Sequence, residues 1–178
     1  MKYAVAIDIG GTNTRVALID EKYKIEERAQ FSTDADNPEV TLFKIKQAID
    51  SFDKEIVGVG MSCPGPLDLI EGKILTTPNL HGEWHGLCIT KELEKLIHKP
   101  VYLENDANLA ALAEAIIGEG KKHNIVQYLT VSTGLGSGLV INKKVFQGAH
   151  GFANEVANVC LWNNGPSHGS IYPGGVEA

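Results

Sequence analysis

The chain has 178 residues, 43% hydrophobic and 21% charged, with sixteen Lys and Arg against twenty-two Asp and Glu for a formal net charge of −6. The acidic balance argues against a nucleic-acid binder, which carries a basic footprint. The apolar content argues against disorder, and no apolar run approaches the ~18 residues of a membrane helix.

Met1-Lys2-Tyr3 leads into an apolar run, Ala4–Ile9, that holds Asp8. A secretory signal would keep that run uncharged, so a cytoplasmic location is expected. Its length and β-branched content predict a buried strand. Gly10-Gly11-Thr12-Asn13 turns the chain into a second strand, Arg15–Ile19, and Asp20-Glu21-Lys22 turns it into a third, Ile25–Ser32. Short turns between consecutive strands make an antiparallel meander. A helix follows, capped by Asn37 with Pro38 as its first residue and Leu42, Ile45 and Ile49 on one face. Ile56–Met61 reads as a strand that returns parallel to the first.

Pro64-Gly65-Pro66 opens a Gly-, Pro- and Asn-rich excursion to Trp84 with room for a small hairpin. A second helix is predicted over Ile89–His98, with Ile89, Leu93, Leu96 and Ile97 on one face and Pro100 beyond its end. Val101–Glu104 is a short strand. A third helix starts at Asn105 or Asp106, carries Leu109, Leu112, Ala113 and Ile116, and ends at Gly118. Gly118–Asn124 reads as a hinge. Beyond it come a strand, Ile125–Ser132, a glycine turn, Thr133–Gly138, a strand, Leu139–Asn142, and the start of another at Val145-Phe146. Strand, Gly/Thr turn, strand thus occurs on each side of the hinge, an arrangement that would face two glycine turns across a cleft.

Two adjacent glycines let successive N–H groups converge on an anion, and Thr hydroxyls add donors. Asp8, at the end of a buried strand, needs a positive or hydrogen-bonding partner, and a phosphate-carrying metal would supply one. An ordinary hairpin with a solvated Asp fits as well. The second turn lacks GxGxxG or GK[ST] spacing, yet strand–turn–strand can cradle phosphate. In Glu104-Asn105-Asp106-Ala107-Asn108 a strand delivers an Asp to a helix N-terminus. Capping explains such a residue; a general base kept ionised by the helix dipole is the other reading. Cys63, Cys88 and Cys160 lack CxxC spacing and read as thiols outside any disulfide or zinc site. His81-Gly82-Glu83-Trp84-His85 lacks the helical i, i+4 form of a zinc site, and Ser62 lacks the context of a nucleophile elbow.

Six segments taken together resemble a known family. DIGGTNTR (Asp8–Arg15), CPGPLD (Cys63–Asp68), Pro78-Asn79-Leu80, ENDAN (Glu104–Asn108), TGLGSG (Thr133–Gly138) and GAHGFANE (Gly148–Glu155) fall in the order of the ROK family of bacterial sugar kinases and sugar-responsive repressors. The resemblance implies an α/β, actin-like (ribonuclease H-like) ATPase fold of two lobes with mixed sheets flanked by helices. Residues 1–118 would be the small lobe and 119–178 the beginning of the large one.

It implies that Asp8, Gly10, Gly11, Thr12, Asn13, Arg15, Thr133 and Gly134 hold the ATP phosphates, with Asp8 placing Mg2+ indirectly. Asp106 would be the catalytic base, and Gly65, Asn79, Asn105, Asp106, Glu155, Asn158 and Glu177 the sugar-binding set. Where the family often has a zinc-binding His and three Cys, this chain has Asn158 and His168–Gly175 without cysteine, which implies no structural zinc. Family members continue beyond Glu177, so the chain resembles a truncated kinase, homodimeric when full length. The implied activity is ATP-dependent phosphorylation of a hexose, glucokinase-like and at carbon 6, with N-acetylmannosamine and fructose as alternative sugars. Its partners would be a sugar and ATP, with no nucleic acid or membrane. The other classes are a sugar-responsive regulator, whose DNA-binding helices would precede the first strand, and a non-catalytic sugar-binding fragment.

Overall fold

Period-two burial builds the first sheet. In strand β1 (Tyr3–Ile9) Val5, Ile7 and Ile9 are buried and the residues between them are less so. The same alternation in β2 (Asn13–Asp20) buries Thr14, Val16, Leu18 and Asp20. One face therefore needs a cover, and helices α1 (Pro38–Ser51) and α2 (Ile89–Ile97) supply it with Leu42, Ile45, Ala48, Ile89 and Leu93. The described residues, 1–77, 79–131, 135–149, 151 and 153–156, come from a computed structural model.

Strands β3 (Ile25–Ser32), β4 (Ile56–Cys63) and β7 (Val101–Asn105) complete a five-stranded sheet in the order β3-β2-β1-β4-β7. β1 pairs antiparallel with β2 and parallel with β4, and β4 pairs parallel with β7. The expected meander and crossover are both present. Asn37 caps α1 as its sequence predicts, accepting from Glu39 N at 3.0 Å. α2 departs in one detail: Ile89, Leu93 and Ile97, spaced by four, face the core, and Leu96 is 36% exposed. The excursion after β4 holds the small hairpin of β5 (Leu67–Asp68) and β6 (Lys73–Ile74).

Contacts group the chain into two units, Met1–Asp106 and Ala107–Ala178. In the second, helix α3 (Asp106–Ile116) packs on a sheet of β8 (Ile125–Val131), β9 (Leu135–Ile141) and β10 (Lys144–Val145) in the order β10-β9-β8. Two sequence expectations change here. Gly136, Ser137 and Gly138 belong to β9, not to a turn. The buried face of α3 is Ala107, Asn108, Ala111 and Ala115, whereas Ala113 is exposed. One contact explains both. A Cβ at Gly138 would lie 2.6 Å from Ala107 O and 2.9 Å from Ala111 Cβ, so helix and strand meet through small residues. Because that contact begins at Ala107, the helix packs with the second unit, although the sequence reading set it before the hinge. The hinge stretch itself is fastened: Lys143 Nζ donates to Ala115 O, Lys121 O and His123 O at 2.7–2.9 Å. Among the described residues no helix is long and apolar enough to cross a membrane.

Candidate functional site

Three parallel strands end on one edge of the first sheet, and each delivers a different kind of group. Asp8 pairs in register with Ser62, and Ser62 with Glu104, so the segments leaving β1, β4 and β7 emerge side by side. In open α/β sheets this carboxyl edge is where loops converge on small ligands. β1 brings Asp8 and the Gly10–Thr12 turn, β4 brings Cys63–Pro66, and β7 brings Asn105 and Asp106.

The Asp8 carboxylate is fixed from two sides. Arg15 Nη1, opposite it on β2, donates to Oδ2 at 2.9 Å, and Ser62 Oγ donates to Oδ1 at 2.8 Å. Each oxygen keeps a further lone pair, and the side chain is 47% exposed. That donor set fits hydrated Mg2+, which keeps several waters and takes other ligands from phosphate. Among the described residues no three His, Cys, Asp or Glu side chains gather as a metal-binding group. By sequence Ser62 shows only that it lacks the context of a nucleophile elbow. Its place beside Asp8 follows from the parallel register, which its immediate neighbours in sequence do not encode.

The turn is closed by Gly10 N donating to Asn13 O at 2.9 Å. Gly11 lies directly against Asn79: a Cβ there would sit 2.5 Å from Asn79 Cβ and 3.0 Å from Asn79 O. Glycine is required by this close approach, since its φ is outside the left-handed region. A predicted phosphate residue and a predicted sugar residue are thus in contact. Asn79 is exposed, on a loop anchored by the fully buried Trp84, whose Nε1 donates to Asp34 O at 2.9 Å. His85 Nε2 is engaged by Leu80 O at 2.7 Å, which accounts for that histidine without a metal.

Gly65 neighbours Asn105, whose Nδ2 would lie 3.6 Å from a Cβ at position 65. Asp106 is the exposed first residue of α3. Between the strand ends Cys63 is fully buried, and its thiol is pushed up to about 12, by burial first and then by the negative charges of Asp106 and Asp8. The thiol is therefore not a nucleophile here. Its folded value exceeds the ordinary 9.0, so its contribution to stability is complete below pH 9 and is lost as pH rises toward 12. Peptide mapping after brief thiol labelling is expected to show Cys63 unmodified in the native protein and modified in guanidinium, with the half-buried Cys88 as the reactive control.

Asp8, Gly10, Gly11, Thr12, Asn13, Arg15, Gly65, Asn79, Asn105 and Asp106 all fall in the first unit. Glu155 is exposed and falls in the second. Thr133, Gly134, Asn158 and Glu177 lie outside the described residues, as do positions 168–175, where zinc ligands were expected to be missing.

A family model described as "ROK family" matches residues 4–171. Among curated proteins the chain is 34% identical over 165 residues to a glucokinase of Thermotoga maritima, covering 91% of this chain and 52% of that protein. It is 29% identical over 171 residues to the xylose repressor of Bacillus subtilis, covering 92% and 44%. The chain spans about half the length of the curated relatives it matches. Among solved structures, the ROK hexokinase of Thermus thermophilus superposes with a TM-score of 0.88 at 32% identity, over 97% of this chain and 58% of that one. A ROK family glucokinase from Streptomyces griseus, in complex with glucose and AMPPNP, gives 0.78 at 28%, over 97% and 55%. These neighbours have the actin-like ATPase fold, and the mixed sheets with flanking helices described above are its elements.

Proposed function

The chain belongs to the ROK family, and from that premise we propose that it is the sugar- and phosphate-binding part of an ATP-dependent hexose kinase of the cytoplasm. The observation that carries this reading is the delivery of Asp8, the Gly10–Thr12 turn and Asp106 to one edge by adjacent parallel strands. A regulator needs sugar recognition alone. An exposed first-turn aspartate two strands from an amide-lined turn is what phosphoryl transfer needs.

β1 and β7 flank β4, so their ends stand about 10 Å apart, room for a pyranose between turn and base. Asn79, Gly65 and Asn105 would orient the ring through paired donors and acceptors. Asp106 would accept the proton of the attacking hydroxyl. A modest base suffices because the transition state is loose and positioning dominates. Main-chain N–H groups of Gly11 and Thr12 would hold phosphate oxygens, and Arg15 is able to exchange Asp8 for phosphate. Mg2+, held through Asp8, would neutralise charge developing on the transferred group.

Glucose is the first sugar proposed, with carbon 6 as the acceptor, followed by N-acetylmannosamine and fructose. The test is a panel of these sugars with ATP and Mg2+ in a coupled assay of ADP formation. Sugar-dependent ADP with a 6-phosphate product is expected, and the absence of ADP formation with every sugar would overturn the kinase. The xylose-repressor similarity favours a second reading, a sugar-responsive regulator; sugar binding without turnover, together with specific DNA retention at physiological salt, would establish it instead.

A further inference from the structure

One residue distant in sequence makes two hydrogen bonds to the Gly10–Thr12 turn and a third to Thr14 at the start of β2. Thr33, just past the end of β3, donates through its main-chain N to Thr12 O at 3.0 Å. Its Oγ1 donates to Gly10 O at 2.7 Å and lies 2.9 Å from Thr14 Oγ1. A hydroxyl has one proton. Since Thr33 gives its own to Gly10, the fully buried Thr14 is the donor in the pair, and both hydroxyls are satisfied only while Thr33 stays in place.

The segment that Thr33 begins is held by hydrogen bonds along its length and is fastened at its other end to the Asn79 loop. Asp34 N donates to the buried Thr41 Oγ1 at 2.9 Å, and Asp34 Oδ1 accepts from Asn37 N at 2.9 Å. His81 N donates to Ala35 O at 2.7 Å and Trp84 Nε1 to Asp34 O at 2.9 Å. Residues 33–36 therefore run as a strap from the turn between β1 and β2 to the loop that carries Asn79. The direct contact of Gly11 with Asn79 closes the same circuit from the other side.

We infer that Thr33 is a positioning residue that sets the geometry of the Gly10–Thr12 turn, and that the strap it begins couples occupancy of this turn to the order of the Asn79 loop. The functional half of this inference rests on the kinase reading. Thr33→Val keeps the β-branched shape and removes both side-chain hydrogen bonds, and Thr33→Ser keeps the hydroxyl. The first measurement is amide hydrogen exchange without ligand. Thr33→Val is expected to exchange roughly tenfold faster over residues 10–13, because two bonds are lost and the buried Thr14 hydroxyl is left unpaired; Thr33→Ser is expected to match wild type.

The second measurement is titration with AMPPNP. Wild type is expected to gain protection over residues 81–84 on binding, Thr33→Val to bind about tenfold more weakly and without that gain, and Thr33→Ser to restore both. If Thr33→Val does not fold, Thr33→Ala removes the same hydroxyl and serves in its place. Unchanged exchange over residues 10–13 in the variant lacking the hydroxyl overturns the inference. Binding of AMPPNP with no change over residues 81–84 in wild type overturns the coupling. A wild-type protein that binds no AMPPNP counts against the kinase reading, while the ligand-free exchange still decides the role of Thr33.

Discussion

Asp106→Asn is expected to lower kcat about 10²–10⁴-fold, the range contributed by a positioned general base. The substitution keeps the size of the side chain and its fitness for the start of a helix, so the strand-to-helix junction between β7 and α3 should survive unchanged. What is lost is the ability to accept a proton from the sugar hydroxyl. KM for ATP should remain within a few-fold of wild type, because the Gly10–Thr12 turn proposed to hold phosphate follows a different strand and uniform binding energy is untouched. The measurement is the coupled ADP assay at saturating sugar, with thermal unfolding as the control for folding. Turnover retained in the variant would take the base role away from Asp106 and leave it a helix-start residue only.

Gly11→Ala is expected to damage nucleotide and sugar binding together. The added methyl would stand 2.5 Å from Asn79 Cβ and 3.0 Å from Asn79 O, far inside van der Waals contact. Neither neighbour is the free end of a flexible side chain, so the backbone of the turn or of the loop must yield, at about 1–3 kcal/mol. Shared between two sites, that cost predicts KM values for ATP and for sugar that each rise roughly tenfold. A turn that bound phosphate independently of the loop would raise the KM for ATP alone, which is the result that separates the two possibilities. Gly10→Ala is the comparison: among the described residues its added Cβ would meet Asn13 O alone, at 3.1 Å, within the turn itself.

What could be read from the sequence was whatever local pattern encodes. A short apolar run rich in β-branched residues gave β1, Asn37-Pro38 gave the start of α1, and the two-glycine turn gave the break between β1 and β2. The misread stretch, Gly136–Gly138, shows the limit. Glycine there answers a neighbour, the alanine face of α3, and a neighbour distant in the chain leaves no periodic trace. The same limit hid Ser62 and Thr33. Ser62 acquires meaning only once β4 lies parallel to β1 with Ser62 opposite Asp8, and Thr33 only once β3 ends beside the turn that precedes β2. The sequence puts both Leu96 and Ile97 on the inner face of α2; spacing by four from Ile89 and Leu93 keeps Ile97 there and leaves Leu96 exposed.

On the proposed kinase reading, the register of β1, β4 and β7 has a consequence for which alcohols could be phosphorylated. Main-chain ladders fix the interval between the aspartate on one outer strand and the one that follows the other. That interval is a rigid gauge, insensitive to the side chains that line the rim. A smaller or larger carbohydrate cannot be accommodated by spreading the strands, because doing so would sever the ladder. On the proposed kinase reading, discrimination among sugars would then reside in pieces that are not part of the ladder, the Asn79 loop among them. Exchanging that loop between relatives should transplant sugar preference while the chemistry of transfer stays constant.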